Sequence, residues 1–136
     1  MKKKIAILGS TGSIGKSLLK IIEPDKKNFE IILLTANKDY KSLIKQAEKF
    51  KVKNLIIKDK VNYNIAKQRF KSKKIKIFNN YAQYKNIFKH KIDYVMSAIT
   101  GLDGLNPTIN IIKYTKNIAI ANKESIICAW RIIQKE

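Results

Sequence analysis

A single cysteine, Cys128, excludes an internal disulfide and fits a reducing compartment. Its expected place is a small buried apolar position on a helix. No apolar run approaches the ~20 residues that span a bilayer. Nor does a charged stretch leading into an apolar segment with a small-residue cleavage site open the sequence. A cytoplasmic protein with no membrane partner is therefore expected. Acidic residues are scarce, 10 against 29 basic ones, and they form no convergent hard-cation site. Asp93 opens a strand, Asp103 sits alone in a loop, and Glu23, Glu48 and Asp59 fall on helices or their ends. No metal ligands are expected in the chain. The only histidine, His90, lies between Lys89 and Lys91 and reads as a solvated surface residue.

Arginine is also rare, appearing only as Arg69 and Arg131, and the tyrosines are scattered rather than set in a stacking stripe. The net charge of +19 thus comes from lysines spread over nearly every segment, in a chain where lysine, isoleucine and asparagine dominate together. That pattern reads as a compositional bias, and no specific nucleic-acid partner is expected. A nucleic-acid role would need lysines gathered on one face. The basic surface would still steer anionic small molecules toward the protein.

What the sequence does contain is concentrated near its start. The apolar run Ile5-Ala6-Ile7-Leu8 empties into Gly9-Ser10-Thr11-Gly12-Ser13-Ile14-Gly15, and a helical pattern follows at once. Such a strand, glycine turn and helix make a place to hold a pyrophosphate. Gly9 permits the sharp turn, Gly12 lets a phosphate approach the main chain, and Gly15 lets the following helix pack against the sheet. The N–H groups of Thr11 to Ile14 are expected to point at the anion, helped by the helix dipole. The spacing is G-x-x-G-x-x-G instead of the commoner G-x-G-x-x-G, but the strand before and the helix after supply the context the fingerprint needs.

Beyond this turn, apolar segments and breakers alternate. Helix is expected over 13–22, with Ile14, Leu18, Ile21 and Ile22 on one face, and over 40–50, 60–70, 81–88, 107–114 and the last segment, where Ile126, Trp130 and Ile133 are at helical spacing. Strands are expected at 31–34, 54–57, 75–78, 93–98 and 118–121, the last read as buried, with Asp59 as an N-cap. At 136 residues the chain is one domain, 1–136, large enough for a core and short for a complete dinucleotide-dependent enzyme. The alternation predicts an α/β fold, a doubly wound, mostly parallel sheet of Rossmann-like character, with ligands beyond the carboxyl ends of the strands. After the second strand, where NAD-binding domains carry an acid, the chain reads Asn37-Lys38-Asp39. Lys38 is placed to meet a 2′-phosphate, which favours NADP over NAD, with Asp39 the alternative as ribose acceptor.

Three motifs now stand in order: Gly9 to Gly15, Ser97-Ala98-Ile99-Thr100-Gly101-Leu102-Asp103-Gly104-Leu105-Asn106-Pro107-Thr108, and Ala121-Asn122-Lys123-Glu124-Ser125. With them the whole chain resembles the N-terminal part of the 1-deoxy-D-xylulose 5-phosphate reductoisomerase family. The resemblance implies that Thr11, Gly12, Ser13 and Ile14 form an NADPH pyrophosphate loop and that Asn37, Lys38 and Asp39 lie near the adenosine phosphate. It further implies that Asn122 and Glu124 contact the cofactor and that Lys123 touches a sugar phosphate substrate. The family's reaction rearranges 1-deoxy-D-xylulose 5-phosphate and reduces the product with NADPH to 2-C-methyl-D-erythritol 4-phosphate, in the non-mevalonate isoprenoid pathway. A divalent metal, Mn or Mg, acts as Lewis acid, and the complete enzyme is a homodimer. In the family the metal-binding acids and a C-terminal helical domain lie downstream of the Asn-Lys-Glu motif. This chain is therefore expected to hold NADPH without turnover and to carry no catalytic residue of its own. The alternative is a stand-alone NADP-binding module or sensor, and an exposed apolar patch where a further domain would pack separates the two.

Overall fold

The computed structural model describes residues 1–71 and 74–135. Strands and helices alternate as β1 (Lys3–Leu8), α1 (Ser13–Ile22), β2 (Phe29–Ala36), α2 (Tyr40–Phe50), β3 (Asn54–Ile57) and α3 (Lys60–Arg69). There follow β4 (Lys76–Phe78), α4 (Tyr84–Ile87), β5 (Tyr94–Ser97), α5 (Leu105–Ile112), β6 (Ile118–Ile120) and α6 (Lys123–Ile133). All pairings are parallel, and the strand order is β4-β3-β2-β1-β5-β6. The chain thus starts in the middle of the sheet, works outward to β4, then crosses over to build β5 and β6 on the other side. The order reverses between β1 and β5, the place where doubly wound sheets open a crevice.

Side-chain alternation along β1 divides the core into two layers. Ile5 and Ile7 pack with Leu19, Ile22, Leu43, Ile44 and Ala47 of α1 and α2, while Ala6 and Leu8 pack with Tyr84, Phe88, Val95 and Ile111 on the opposite face. Each fully buried aliphatic side chain adds roughly 1.5–3 kcal/mol of hydrophobic stabilisation. The alternation breaks once, at a register shift that pairs Ile5 with Ile31 but Ala6 with Leu33. Ile32 and Leu33 therefore both contribute to the second layer. The carbonyl freed by this bulge is satisfied by the Asn54 side-chain amide at 3.0 Å.

Several elements lie where the sequence puts them, and α2 and β3 agree to the residue. Other element ends shift by one or two residues, α5 running from Leu105 to Ile112, and four further details differ. On α1 the buried face is Gly15, Leu19 and Ile22, while Ile14 and Ile21 are exposed. The segment 81–88 is a 3-10 turn over Tyr81–Gln83 followed by the four-residue α4. Strand β6, expected to be buried, is a half-exposed edge strand because nothing among the described residues pairs with its outer side. Cys128 is exposed: α6 leans on Ser125 and Ala129, which turns Cys128 and Ile127 outward. Among the described residues no helix is long and apolar enough to cross a membrane.

The starts of α2 and α3 are fixed by side-chain caps. Asp39 accepts from the Ser42 N–H at 3.0 Å to open α2, and Asp59 accepts from the Asn62 N–H at 2.9 Å to open α3. Hydrogen bonds from Ser42 hold the Asp39 carboxyl below its usual range, and the Asn62 N–H does the same for Asp59. Asp93, bonded to Lys116 and to the Lys4 N–H, is lowered likewise. Depressed native values stabilise the fold above the unfolded carboxylate value of about 3.9, and that stabilisation is lost as pH falls through the native values. The unfolding temperature should therefore fall steadily from about pH 4 downward. In Asp59→Asn, which keeps a capping oxygen but cannot titrate, the decline should be shallower; an unchanged slope would remove Asp59 from this account.

Candidate functional site

A cleft of about 490 Å³ opens at the carboxyl ends of the strands, bordered by the turn after β1, the segments after β2 and β3, and the loop after β5. Its floor is the first glycine turn. Gly9 has φ +77°, and a Cβ there would lie 2.8 Å from the Ala98 carbonyl oxygen, so both the turn and the neighbouring strand exclude a side chain. A Cβ at Gly15 would come within 2.5 Å of Gly9 O and of Ser10 Cα. The close approach expected at Gly15 is thus against the turn's own backbone, not against the sheet. Gly12 differs from both. Its backbone is extended, and an added Cβ would meet only Gly9 O, at 3.4 Å. Nothing in the protein's own packing requires glycine there.

Gly12 is also the N-cap of α1, and no side chain caps that helix end. The amide of Gly12 itself donates to Gly9 O at 3.2 Å, so it leaves the expected row of free donors from Thr11 to Ile14. Ser13 and Ile14 occupy the first two positions of the helix and are exposed. The turn is anchored from β2 and α2. The Thr35 hydroxyl accepts from the Gly9 N–H at 2.9 Å, the Thr35 carbonyl accepts from the Ser10 N–H at 2.9 Å, and Gln46 bonds Ser10 at two points.

The second glycine loop is held from behind. Asn122 is buried, and its Nδ2 donates to the carbonyls of Ile99 and Gly101, while its Oδ1 accepts from the Ser125 N–H at 3.0 Å and caps α6. Thr108 donates to Gly104 O at 2.6 Å and accepts from the Ser97 hydroxyl at 2.6 Å, so the buried hydroxyls pin the loop to α5 and β5. Across a trans peptide the C=O and the following N–H point in opposite directions. With Ile99 O and Gly101 O turned onto Asn122, the N–H groups of Thr100 and Leu102 face the other way, and both residues border the cleft.

Of the residues singled out by sequence, Gly9, Thr11, Gly12 and Asn37 border the cleft. Asn122 does not offer its side-chain N–H groups to a ligand, because both are spent on loop carbonyls. Lys123 is exposed and Glu124 half-buried at the start of α6, beside that loop but not among the residues bordering the cleft. Asp39 is a helix cap, so one carboxylate oxygen is already engaged with Ser42. Lys38 is exposed and close enough to Asp59 to help lower its pKa, and Lys16 acts similarly on Asp39. Sequence reasoning missed Lys58, which borders the cleft beside Asn37, and Tyr81, whose phenol is pushed up by burial and touches Thr35. Their partners are distant in sequence, and no local pattern marks them.

A larger groove of about 590 Å³ lies at the opposite, amino-terminal ends of the strands, lined by Lys2, Lys26, Lys27, Lys49, Lys51 and Lys53. Lys49 and Lys51 sit at the end of α2, where cations offset the negative end of the helix dipole. Lys26 lies over the Phe50 ring at 4.9 Å, and Lys49 pairs with Glu23 at 2.6 Å. Among the described residues no three His, Cys, Asp or Glu side chains converge as a metal site would require.

Residues 5–130 match the model of the 1-deoxy-D-xylulose 5-phosphate reductoisomerase family. The reductoisomerase of Pelagibacter ubique is 60% identical over 136 residues, covering 98% of this chain and 35% of that protein. That of Buchnera aphidicola is 42% identical, covering 98% of this chain and 34% of that protein. Among solved structures, the Zymomonas mobilis reductoisomerase in complex with NADPH superposes with a TM-score of 0.89 at 31% identity, over 99% of this chain and 36% of that one. A reductoisomerase in complex with NADPH, fosmidomycin and magnesium gives 0.88 at 30%, over 98% and 33%. The chain spans about a third of the length of the relatives it matches.

Proposed function

Because this chain belongs to the 1-deoxy-D-xylulose 5-phosphate reductoisomerase family, we propose that it is the NADPH-binding part of such an enzyme. The observation that carries the proposal is Gly12: a glycine that the protein's own packing does not demand, at the uncapped, electropositive end of α1, on the border of the cleft. The cofactor's diphosphate takes the space a side chain would fill, against the N–H groups of Thr11, Ser13 and Ile14. Asn37 lies along the adenosine end, where Lys38 and Lys58 supply the cationic surroundings a 2′-phosphate needs. The Thr100 and Leu102 N–H groups face the cleft from the other side. Lys123, on the rim formed by α6, is the group for the sugar phosphate, with Glu124 beside it for the nicotinamide ribose. NADPH supplies the hydride that makes the family's reaction a reduction.

The described residues do not fit a divalent metal, since no acidic cluster is present among them. Rearrangement and reduction of 1-deoxy-D-xylulose 5-phosphate to 2-C-methyl-D-erythritol 4-phosphate are proposed for the whole protein, of which residues 1–136 form the dinucleotide-binding domain. One face of α6 supports this over a stand-alone module: Ile127 and Trp130 are 76% and 51% exposed on the helix that follows edge strand β6, a surface suited to further protein. A homodimer and a cytoplasmic, reducing setting belong to the same proposal, the latter in keeping with a lone cysteine.

Calorimetric titration of the chain with NADPH and NADH in parallel, at two salt concentrations, tests the reading. Saturable one-to-one binding that favours NADPH is expected, and equal weak binding of both that vanishes with salt would refute it. Lys38→Glu should shift the NADPH-to-NADH affinity ratio toward NADH by about tenfold, since a charge-assisted contact is replaced by repulsion. An unchanged ratio would take Lys38 out of the 2′-phosphate site.

A further inference from the structure

Ser10 is fully buried behind the first glycine turn, and its polar groups meet the side chain of Gln46 from the middle of α2. Gln46 Nε2 donates to Ser10 O at 2.9 Å, and the Ser10 hydroxyl donates to Gln46 Oε1 at 2.8 Å. The two bonds fix the orientation of the carboxamide, because only its nitrogen can face a carbonyl. They also fix a peptide plane. Ser10 O is turned toward α2, so the Thr11 N–H on the same trans peptide points away from α2. Thr11 borders the cleft.

We propose that Gln46 is a positioning residue for the diphosphate of the dinucleotide: by holding Ser10 O it aims the Thr11 N–H at the phosphate oxygens. This rests on the reading of the cleft as an NADPH site. Thr35 does not perform the task, for it binds the N–H groups of Gly9 and Ser10 and the Ser10 hydroxyl, and none of these bonds reaches Ser10 O. Gln46 itself is absent from the cleft border, so it acts through Thr11 and not by touching the ligand. Sequence gave no sign of it. A glutamine within a lysine-rich helix, 36 residues from its partner, looks like any solvated side chain.

Two ligands separate a positioning role from a general packing role. NADPH needs the diphosphate donors, whereas adenosine 2′-monophosphate has no diphosphate and reports only on the adenosine end. Gln46→Ala is expected to weaken NADPH about tenfold, the effect of one misdirected hydrogen bond to a charged group, and to leave adenosine 2′-monophosphate within about twofold. Gln46→Glu, which sets an oxygen against Ser10 O, should weaken NADPH further. Ser10→Ala keeps the carbonyl contact and should lose less than Gln46→Ala, a check that stands even where one variant folds poorly. Unchanged NADPH affinity in Gln46→Ala would overturn the proposal, as would parallel loss of both ligands. If the unmodified chain binds adenosine 2′-monophosphate but not NADPH, the dinucleotide reading fails and this proposal falls with it; if Gln46→Ala alone behaves like the unmodified chain, only the proposal falls.

Discussion

Replacing Gly12 by valine is expected to leave the chain folded and to abolish NADPH binding, with a loss of affinity of at least about a hundredfold, or about 2.7 kcal/mol. The two halves of this expectation have separate causes. Stability is preserved because the backbone at Gly12 is extended and a Cβ meets only Gly9 O at 3.4 Å, an ordinary contact that a β-branched residue tolerates. Binding is lost because the branched side chain fills the volume in front of the α1 amides, where a phosphate must approach to hydrogen-bond distance. Gly12→Ala should fall between. Gly9 and Gly15 provide the contrast: side chains there collide with backbone at 2.8 Å and 2.5 Å, so Gly9→Ala and Gly15→Ala should unfold the domain before ligand binding can be asked about. Thermal unfolding and calorimetry on the same samples make the comparison. Full affinity in a well-folded Gly12→Val would mean that the diphosphate does not lie on this turn.

The difference among these glycines also marks how far the sequence could be read. Spacing and context identified the strand, the turn and the helix, since a strand, three glycines and a helix are local facts. Which glycine serves the fold and which the ligand is not local, because the atoms that crowd Gly9 belong to Ala98. The same limit explains the misplaced face of α1. The apolar spacing of Ile14, Leu18, Ile21 and Ile22 suggested one stripe, of which Ile22 is buried and Leu18 packs against the core; Gly15 carries no hydrophobic signal and is the residue that touches the turn, so the helix is rotated until Ile14 and Ile21 face solvent. Strands β2 and β3, buried on both faces, announced themselves as continuous apolar runs. Strand β6 has an equally apolar sequence yet lies at the edge with its faces half-exposed, and nothing in Ile118-Ala119-Ile120 distinguishes the two situations. Likewise Cys128 and Trp130 match the pattern of a buried helical stripe, and only the position of α6 over the sheet edge turns them outward.

Asn122 makes the sharpest case for the parts that sequence does not reveal, and its replacement should cost stability and change its pH dependence. Its resemblance to a cofactor contact is built on a motif, whereas its side chain ties three backbone groups together: the carbonyls of Ile99 and Gly101 and the amide of Ser125. Asn122→Ala removes an N-cap worth about 1 kcal/mol and strands two carbonyls at about 1–3 kcal/mol each, so a total on the order of 3 kcal/mol or more is expected. Asn122→Asp is more informative. The carboxylate can still cap Ser125, but its second oxygen faces two carbonyl oxygens in a buried setting, which strongly favours the protonated acid and raises its pKa. For such a group the folded state binds more protons than the unfolded one between the unfolded value of about 3.9 and the raised native value, so stability falls as pH rises through that window. The unmodified chain has the opposite slope, through the depressed Asp39, Asp59 and Asp93, and only below about pH 4. Asn122→Asp should therefore unfold at a higher temperature at about pH 5 than at about pH 7, where the unmodified chain is flat. A flat profile in the variant would show that the loop carbonyls can turn away from residue 122, and that Asn122 is free to face a ligand after all.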